Sequence, residues 1–231
     1  MRKINFIGIG VQKAGTSWLA EVLNEHPEIK IHPKKEAHFF NKRQFYFNNF
    51  HYEISFGSKK EKIIGEITPS YILDKKAAER IFKYNSKVKL IAILRDPTER
   101  CVSQYKMEMS RNTIEKNTGL WDAFCRDLPK YGPMKERGLY QKQLDRFYKF
   151  FNKEQILILD YEDIKKKPIA VIKKIFNYLQ VDEKFVPKSL NKKIRHIKDT
   201  TKNIPINKDD IQKVKNYYNN FNYKTTTKIF S

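Results

Sequence analysis

The sequence contains little cysteine and no long apolar run, and these absences exclude several classes of protein. Only Cys101 and Cys125 occur among 231 residues, and they do not form a C-x-x-C pair, so we expect neither a disulfide framework nor a zinc knuckle. No segment reaches the roughly 20 apolar residues of a membrane helix, and the N-terminus lacks the apolar run of a signal peptide. We therefore expect a cytoplasmic protein with reduced cysteines and no membrane span.

Acidic residues are scarce relative to basic ones. Lys and Arg number 47 against 26 Asp and Glu, which gives a formal net charge of +21. This excess predicts an anionic partner, such as nucleic acid, an acidic lipid surface, a polyanionic polymer or a phosphorylated small molecule. Solvated surface lysines would account for the same total. The length and the content of apolar and aromatic residues predict one folded domain, residues 1–231, rather than a disordered basic tail.

Short apolar runs alternate with amphipathic segments along the chain. Strand character covers residues 4–9, 63–67, 88–94 and 155–159, and helical periodicity covers 17–24, 75–84, 98–109, 139–151 and 170–179. This alternation predicts an α/β fold with a central, mainly parallel sheet flanked by helices. A short helix is expected within 113–135, and a polar helix at 208–219.

The stretch FIGIGVQKAGTSWL, residues 6–19, joins an apolar strand to a helix through a turn with a lysine and a bare glycine. The N–H groups and the dipole of such a helix start attract an anion. Gly15 allows an oxyanion to approach the backbone, and Lys13 adds a full charge. Thr16 and Ser17 can cap the helix or donate to an anion oxygen. An ordinary strand-to-helix turn with Thr16 as N-cap is the alternative.

This turn differs from the P-loop signature G-x-x-x-x-G-K-[ST]. Gly10 and Gly15 have the glycine spacing, but Thr16 takes the place of the lysine, which occurs earlier as Lys13. A nucleoside triphosphatase also needs an acidic side chain at the end of a neighbouring strand to hold magnesium. The neighbouring strand is followed by Arg95, and Asp96 resembles a helix-start residue. These residues favour an anion bound without a metal.

A second apolar strand leads into LRDPTERCVSQY, residues 94–105. Arg95 leaves the strand end, and Ser103 lies about two helical turns later and can face back toward it. A guanidinium with a hydroxyl suits a terminal phosphate, because the planar fork binds two oxygens. Arg100 can assist, or it can be a surface ion-pair partner. Two strand-end anion sites are typical of a nucleotide with phosphates at both ends.

Five motifs, in order, resemble those of sulfotransferases that use 3′-phosphoadenylyl sulfate (PAPS), with the closest similarity to the domains that act on heparan sulfate. They are GVQKAGTSWL, HPEIKIHPKKEAHFFN, GEITPSYIL, LRDPTERCVSQY and GLYQKQLDRFYKFFNKEQILILDYEDI. The resemblance covers most of residues 4–180. It implies a P-loop-like sulfotransferase fold, PAPS as the sulfuryl donor, adenosine 3′,5′-bisphosphate (PAP) as the product, and no metal.

The resemblance also implies roles for particular residues. Glu36 matches the family's catalytic glutamate, and His38 would bind the acceptor or orient Glu36. Lys13 matches the lysine at the bridging oxygen and would stabilise the leaving phosphate. The 5′-phosphosulfate would lie on the backbone N–H groups and hydroxyls of Ala14, Gly15, Thr16, Ser17 and Trp18, and the 3′-phosphate on Arg95 and Ser103.

The sequence departs from the family at two places. Heparan-type enzymes carry a lysine after the glutamate of the motif GEITPSY, and Ile67 stands there. The late loop that closes over the cofactor has only a loose counterpart in HIKDTTKNIP, where Lys198 and Lys202 are the candidates. Tyr140 matches a family aromatic, or it is a core residue.

Two other functions compete with the sulfotransferase hypothesis. A P-loop kinase or triphosphatase would need a lysine directly after Gly15 and a metal-holding acid. A basic nucleic-acid-binding module would need its lysines on one face. Under the sulfotransferase hypothesis we expect no nucleic acid. A saccharide or glycan, which the basic charge would suit if it is anionic, is the favoured acceptor, and a lipid-linked precursor or a small metabolite is the alternative. The sequence does not decide the acceptor, O- against N-sulfation, or the oligomeric state.

Overall fold

The structure is a computed structural model that describes residues 3–42, 49–57, 60–126, 133–190 and 204–221. Its five strands are β1 (Phe6–Gly10), β2 (Ile29–Ile31), β3 (Ile63–Ile67), β4 (Lys89–Leu94) and β5 (Ile156–Asp160). They form one sheet in the order β2-β3-β1-β4-β5, and every pair is parallel. The predicted α/β fold with a parallel sheet is confirmed.

Nine α-helices lie in the described part of the chain. They are α1 (Thr16–Asn24), α2 (Asn49–Ile54), α3 (Ala77–Tyr84), α4 (Pro97–Ser110), α5 (Leu120–Cys125), α6 (Tyr140–Tyr148), α7 (Tyr161–Lys166), α8 (Pro168–Leu179) and α9 (Lys208–Asn219). Short 3₁₀ helices cover Glu136–Gly138 and Lys153–Gln155. No helix of the described residues has the length and hydrophobicity needed to cross a membrane.

The strand predictions are close to the structure because these strands are buried on both faces. All five residues of β1 are buried, as are five of the six residues of β4, and such strands read as continuous apolar runs. The predicted helix at 208–219 has the observed bounds. Pro97 and Pro168 each occupy the first helical turn, where the missing N–H costs no hydrogen bond.

The chain divides into two compact units. The first contains the described residues up to Leu94 together with 142–190, and it holds the whole sheet. The second contains the described residues of 95–141 and 204–221. No observation bears on the prediction that residues 1–231 form a single domain, and it stays a prediction.

The second unit has a core of its own, in which α4, α5 and α9 pack around Tyr105, Phe124 and Tyr218. Arg100 lies inside this unit and is fully buried. Its guanidinium donates to the Gln104 side chain at 2.7 Å and to the Met134 carbonyl at 2.8 Å. Of the two roles considered for Arg100, the surface ion-pair partner is therefore wrong, because the side chain is buried and hydrogen-bonded inside this unit.

The first unit buries a carboxylate, Glu66 of β3, which has no exposed surface. It accepts hydrogen bonds from the Tyr52 hydroxyl at 2.6 Å, the Tyr71 hydroxyl at 2.8 Å and the Thr68 hydroxyl at 2.7 Å. Burial raises the pKa of Glu66 above its ordinary value of 4.5, although the three hydroxyls act in the opposite direction. A buried carboxylate of this kind is tolerated because its oxygens are hydrogen-bonded.

We predict that Glu66→Gln flattens the pH dependence of the unfolding free energy. Because the folded-state pKa is raised, proton uptake by Glu66 stabilises the fold fully below about pH 4.5, and this contribution is lost as the pH rises through the folded pKa. Urea unfolding of both proteins from about pH 4.5 to about pH 8 measures the difference. Wild type should lose stability relative to Glu66→Gln across this range.

The control is Glu115→Gln, which removes an exposed carboxyl of the second unit. It should follow the wild-type pH dependence. Parallel curves for wild type and Glu66→Gln would show that the buried carboxyl does not titrate differently on folding.

Candidate active site

The turn between β1 and α1 presents an open helix N-terminus. Gly15 is the N-cap residue, with a left-handed φ of 87°, and no side chain caps the helix. Thr16 is the first helical residue rather than the N-cap. The alternative of an ordinary turn with Thr16 as N-cap is therefore wrong. The N–H groups of the first turn have no carbonyl within the helix to bond, and they carry the positive end of its dipole. This geometry suits an anion.

The predicted cradle residues take different positions in this turn. Ser17 is exposed, whereas Thr16 is buried. The Ala14 N–H already donates to the Val11 carbonyl at 3.3 Å, so it is engaged within the turn. The Trp18 indole N–H donates to the Leu190 carbonyl at 3.1 Å, which fixes this side chain in the first unit. The groups that remain suited to an anion are the first-turn N–H groups and the Ser17 hydroxyl.

Three of the predicted site residues have a positive φ: Lys13 at 72°, Glu36 at 64° and His38 at 57°. Among the non-glycine residues that the structure describes, only Asn112 and Gln180 share this feature. Left-handed backbone costs an ordinary L-residue about 1–3 kcal/mol, and proteins keep it chiefly where function or tight packing requires it. Its coincidence with Lys13, Glu36 and His38 independently marks these positions as a candidate site.

Glu36 and His38 lie together, as their spacing predicts. The Glu36 carboxylate is 3.5 Å from Nε2 of His38 and 3.6 Å from the ammonium of Lys35. The Lys35 ammonium also donates to the Ser17 hydroxyl at 2.7 Å. Ser17, Lys35, Glu36 and His38 therefore form one continuous chain of polar contacts at the surface of the first unit. It joins the predicted anion loop to the predicted base.

The other ring nitrogen of His38 is held by two residues that sequence reasoning missed. Its Nδ1 lies 3.3 Å from the Asn41 amide nitrogen and 3.3 Å from the Ser70 hydroxyl, and Asn41 also donates to Ser70 at 3.0 Å. In this orientation of the Asn41 amide, Nδ1 faces the donor, and Nε2 is the ring nitrogen that lies 3.5 Å from Glu36. His38 therefore contacts the carboxylate through Nε2.

The Glu66 cluster holds the backbone of this segment. The hydroxyls of Thr68 and Tyr71 donate to Glu66 and also accept hydrogen bonds from the backbone. The Thr68 hydroxyl accepts the His38 N–H at 3.4 Å, and the Tyr71 hydroxyl accepts the Phe40 N–H at 3.3 Å. Two hydrogen bonds thus tie the strained segment to a buried anchor. The motif GEITPSY contributes Glu66, Thr68 and Tyr71 together, although its function was not apparent from spacing alone.

The strand β4 is the neighbour of β1 and ends at the same edge of the sheet. Arg95 follows it directly and belongs to the second unit. The Arg95 guanidinium pairs with Glu99 at 3.1 Å and is 14% exposed, and its carbonyl accepts the Tyr140 hydroxyl at 2.8 Å. Ser103 is half-buried in the second turn of α4. A phosphate on Arg95 would have to compete with Glu99.

Asp96 is the N-cap of α4, where its carboxylate accepts the Glu99 N–H at 2.9 Å. The interpretation of Asp96 as a helix-start residue is confirmed. Within the described ranges, no group of three or more His, Cys, Asp or Glu side chains could hold a metal ion. Lys198 and Lys202, the candidates for the late cofactor loop, lie outside the described residues.

A cavity of about 340 Å³ opens beside this region in the first unit. One wall is the face of α1 with Ala20, Glu21 and Asn24, and the opposite wall is formed by Ile31, His32, Pro33, Lys34, Lys35 and Ile67. Ile67 is buried and apolar, so this wall has no charge at the position where the family carries a lysine. The positive charge of the wall comes from Lys34 and Lys35.

Comparison with known proteins agrees with the motifs. The family model described as "Sulfotransferase domain" matches residues 4–228. The membrane-associated sulfotransferase kil1 of Dictyostelium discoideum is 27% identical over 98% of this chain and 64% of its own length. Heparan sulfate glucosamine 3-O-sulfotransferase 5 of Mus musculus is 30% identical over 75% of this chain and 52% of its own length. The chain therefore spans less than two thirds of each of these curated relatives.

Solved structures share the fold. A sulfotransferase from Alicyclobacillus acidocaldarius is 25% identical, with a TM-score of 0.77 over 95% of this chain and 92% of its own. Mouse sulfotransferase SULT7A1, solved with PAP, is 18% identical, with a TM-score of 0.50 over 94% of this chain and 64% of its own. The predicted resemblance and the predicted P-loop-like sulfotransferase fold are confirmed.

We predict that Gly15→Ala weakens binding of PAP. Alanine at a φ of 87° strains the backbone by about 1–2 kcal/mol, and relief of this strain would move the first-turn N–H groups of α1. Gly57→Ala is the matched control, because Gly57 has a φ of 66° and nothing within 4 Å of the added Cβ. Both variants should lose similar stability, and calorimetry should find weaker binding in Gly15→Ala alone. Equal affinities in both variants would contradict the role of the turn.

Proposed function

This chain belongs to the sulfotransferase domain family, and from that premise we propose that it transfers the sulfuryl group of PAPS to a hydroxyl or amine of a saccharide acceptor. The observation that most supports this proposal is the chain of contacts from Ser17 through Lys35 and Glu36 to His38. It links the proposed anion-binding helix start to the proposed carboxylate base within the first unit. Such a pairing suits transfer of an anionic group to a nucleophile that must lose a proton.

In the proposed reaction, an acceptor oxygen or nitrogen attacks sulfur in line with the bond to the leaving phosphate. The new bond to sulfur forms as the sulfur–oxygen bond to that phosphate breaks, and the acceptor proton moves to Glu36. His38, whose Nε2 lies 3.5 Å from the Glu36 carboxylate, keeps that carboxylate directed at the acceptor. Lys13 neutralises the charge that develops on the leaving oxygen, as a positioned cation does in phosphoryl transfer.

The donor is proposed to be PAPS for two reasons. The helix start after β1 suits the 5′-phosphosulfate, and the guanidinium of Arg95 with the hydroxyl of Ser103 suits a 3′-phosphate. Mouse SULT7A1, which shares the fold, was solved with the product PAP. We propose a transfer without a metal ion, in which the roles are taken by side chains and backbone N–H groups.

The acceptor is proposed to be a saccharide or glycan. The heparan sulfate glucosamine 3-O-sulfotransferase 5 of mouse is named for such an acceptor, and the net charge of +21 suits an anionic polymer. The cavity walled by α1 and residues 31–35 is large enough for a small part of such an acceptor. A cytoplasmic location and the absence of a nucleic-acid partner remain predictions.

A P-loop kinase is less well supported. Thr16 follows Gly15 where such an enzyme needs lysine, and the Asp96 carboxylate at the neighbouring strand end is engaged as an N-cap. A magnesium requirement for turnover would favour this alternative.

We predict that Arg95→Ala weakens PAP binding by about 1.5–3 kcal/mol, the value typical of hydrogen bonds to a charged group. Calorimetry is the measurement. Arg126→Ala is the control, since Arg126 also lies in the second unit and pairs with a carboxylate four residues away, Asp122, at 2.7 Å. The control should bind like wild type. Equal affinities for wild type and Arg95→Ala would remove Arg95 from the donor site.

We predict that Glu36→Gln lowers the rate of sulfuryl transfer by at least about 100-fold and leaves PAP affinity unchanged, because the amide keeps the shape but cannot accept the proton. Transfer of radiolabelled sulfuryl from PAPS to a saccharide pool measures the rate. Glu162→Gln removes another carboxylate that pairs with a lysine, Lys165 at 2.8 Å, and serves as the control with wild-type activity. Normal transfer by Glu36→Gln would refute its role as the base.

A further inference from the structure

The Lys35 ammonium occupies a central position among the groups that the proposed function uses. It donates to the Ser17 hydroxyl at 2.7 Å and lies 3.6 Å from the Glu36 carboxylate. Ser17 belongs to the first turn of α1, and Glu36 to the segment after β2, so Lys35 is the contact that joins the two. Its side chain is 46% exposed, and a ligand can therefore reach it.

The direction of the hydrogen bond between Lys35 and Ser17 matters for ligand binding. An ammonium has three donors and no acceptor, so the Ser17 oxygen must accept. The Ser17 hydrogen is thereby left for another acceptor, and the ammonium keeps further donors of its own. Serine and lysine together can thus offer two donors to the same anion. An anion at the helix start would meet both.

Lys35 is also one of the two lysines on the cavity wall to which Ile67 contributes no charge. Both side chains line the same cavity, but Ile67 is 2% exposed and carries no donor. Lys34, its neighbour in sequence, lines the cavity as well, and its backbone carbonyl lies 2.8 Å from Nδ1 of the His32 ring. The charge at this wall is therefore supplied from the segment after β2 rather than from the end of β3.

We propose that Lys35 is a catalytic residue that binds the sulfuryl group of the donor during transfer. This inference rests on the proposed function. The Lys35 ammonium contacts an oxygen of the sulfuryl group while the bond from sulfur to the leaving phosphate oxygen breaks and the bond to the acceptor forms. The proton of the acceptor still moves to Glu36, and Lys35 keeps its own proton throughout. Its charge stabilises the sulfuryl oxygens and holds Glu36 beside them.

Comparison of PAPS with PAP isolates this contact, because only PAPS carries the sulfuryl group. Calorimetry with each nucleotide is carried out on wild type, Lys35→Met, Lys35→Arg and Lys34→Met. Methionine keeps the length of the side chain without its charge. Lys34→Met removes the same charge one residue away and controls for the general attraction of a basic surface.

Lys35→Met should lose at least about tenfold in affinity for PAPS and stay within about twofold of wild type for PAP, as loss of a charge-assisted hydrogen bond implies. Lys35→Arg should recover part of the loss, and Lys34→Met should match wild type for both nucleotides. If Lys35→Met loses equal affinity for PAPS and PAP, or loses affinity for neither, the proposal for Lys35 is overturned. The proposed function still stands in that case, provided that wild type binds both nucleotides. A wild type that binds neither nucleotide would overturn both.

Discussion

The buried carboxylate of Glu66 is the constraint on which the candidate site depends. A fully buried carboxylate must have its oxygens hydrogen-bonded, and Tyr52, Thr68 and Tyr71 meet this requirement. Thr68 and Tyr71 in turn accept backbone N–H groups of the segment that carries His38 and Phe40. This segment contains left-handed backbone, which is unstable unless its surroundings hold it. The core of the first unit therefore determines where Glu36 and His38 lie.

Parallel strands explain why the anion-binding groups occur where they do. The strands β1 and β4 are neighbours and end at one edge of the sheet, and each leads into a helix. A helix that starts there directs N–H groups and the positive end of its dipole at the edge. Lys13 and Arg95 are the basic residues that leave these two strand ends.

Much of the fold could be predicted from the sequence, because buried strands and amphipathic helices leave clear periodicities. The strand Ile63–Ile67 was predicted with its observed bounds. The strand Ile29–Ile31 was missed because three residues are too few for a pattern, and Asn49–Ile54 and Tyr161–Lys166 were missed because a six-residue helix has under two turns. Local patterns left the role of Arg100 open between a phosphate ligand and a surface ion-pair partner, and tertiary packing buries it.

The candidate site was less predictable than the fold. The motif around Glu36 and His38 predicted that they lie together, and they do. Periodicity gave no sign of the contact from Lys35 to Ser17, since it joins residues 18 positions apart in sequence through the packing of α1 against the segment after β2. Asn41 and Ser70 were missed for the same reason. Contacts of this kind depend on tertiary structure, which a single sequence does not reveal.

The most direct measurement of the central claim is product analysis after incubation of wild type with PAPS and a desulfated heparan-type saccharide in buffer containing a metal chelator. Sulfuryl transfer should yield one sulfated saccharide for each PAP formed, as mass spectrometry and nucleotide chromatography can count. Formation of PAP without sulfated product would mean hydrolysis instead of transfer. If PAPS stays intact after incubation with this saccharide, and also with mixed pools of other hydroxyl and amine acceptors, the assignment of this chain as a sulfotransferase is contradicted.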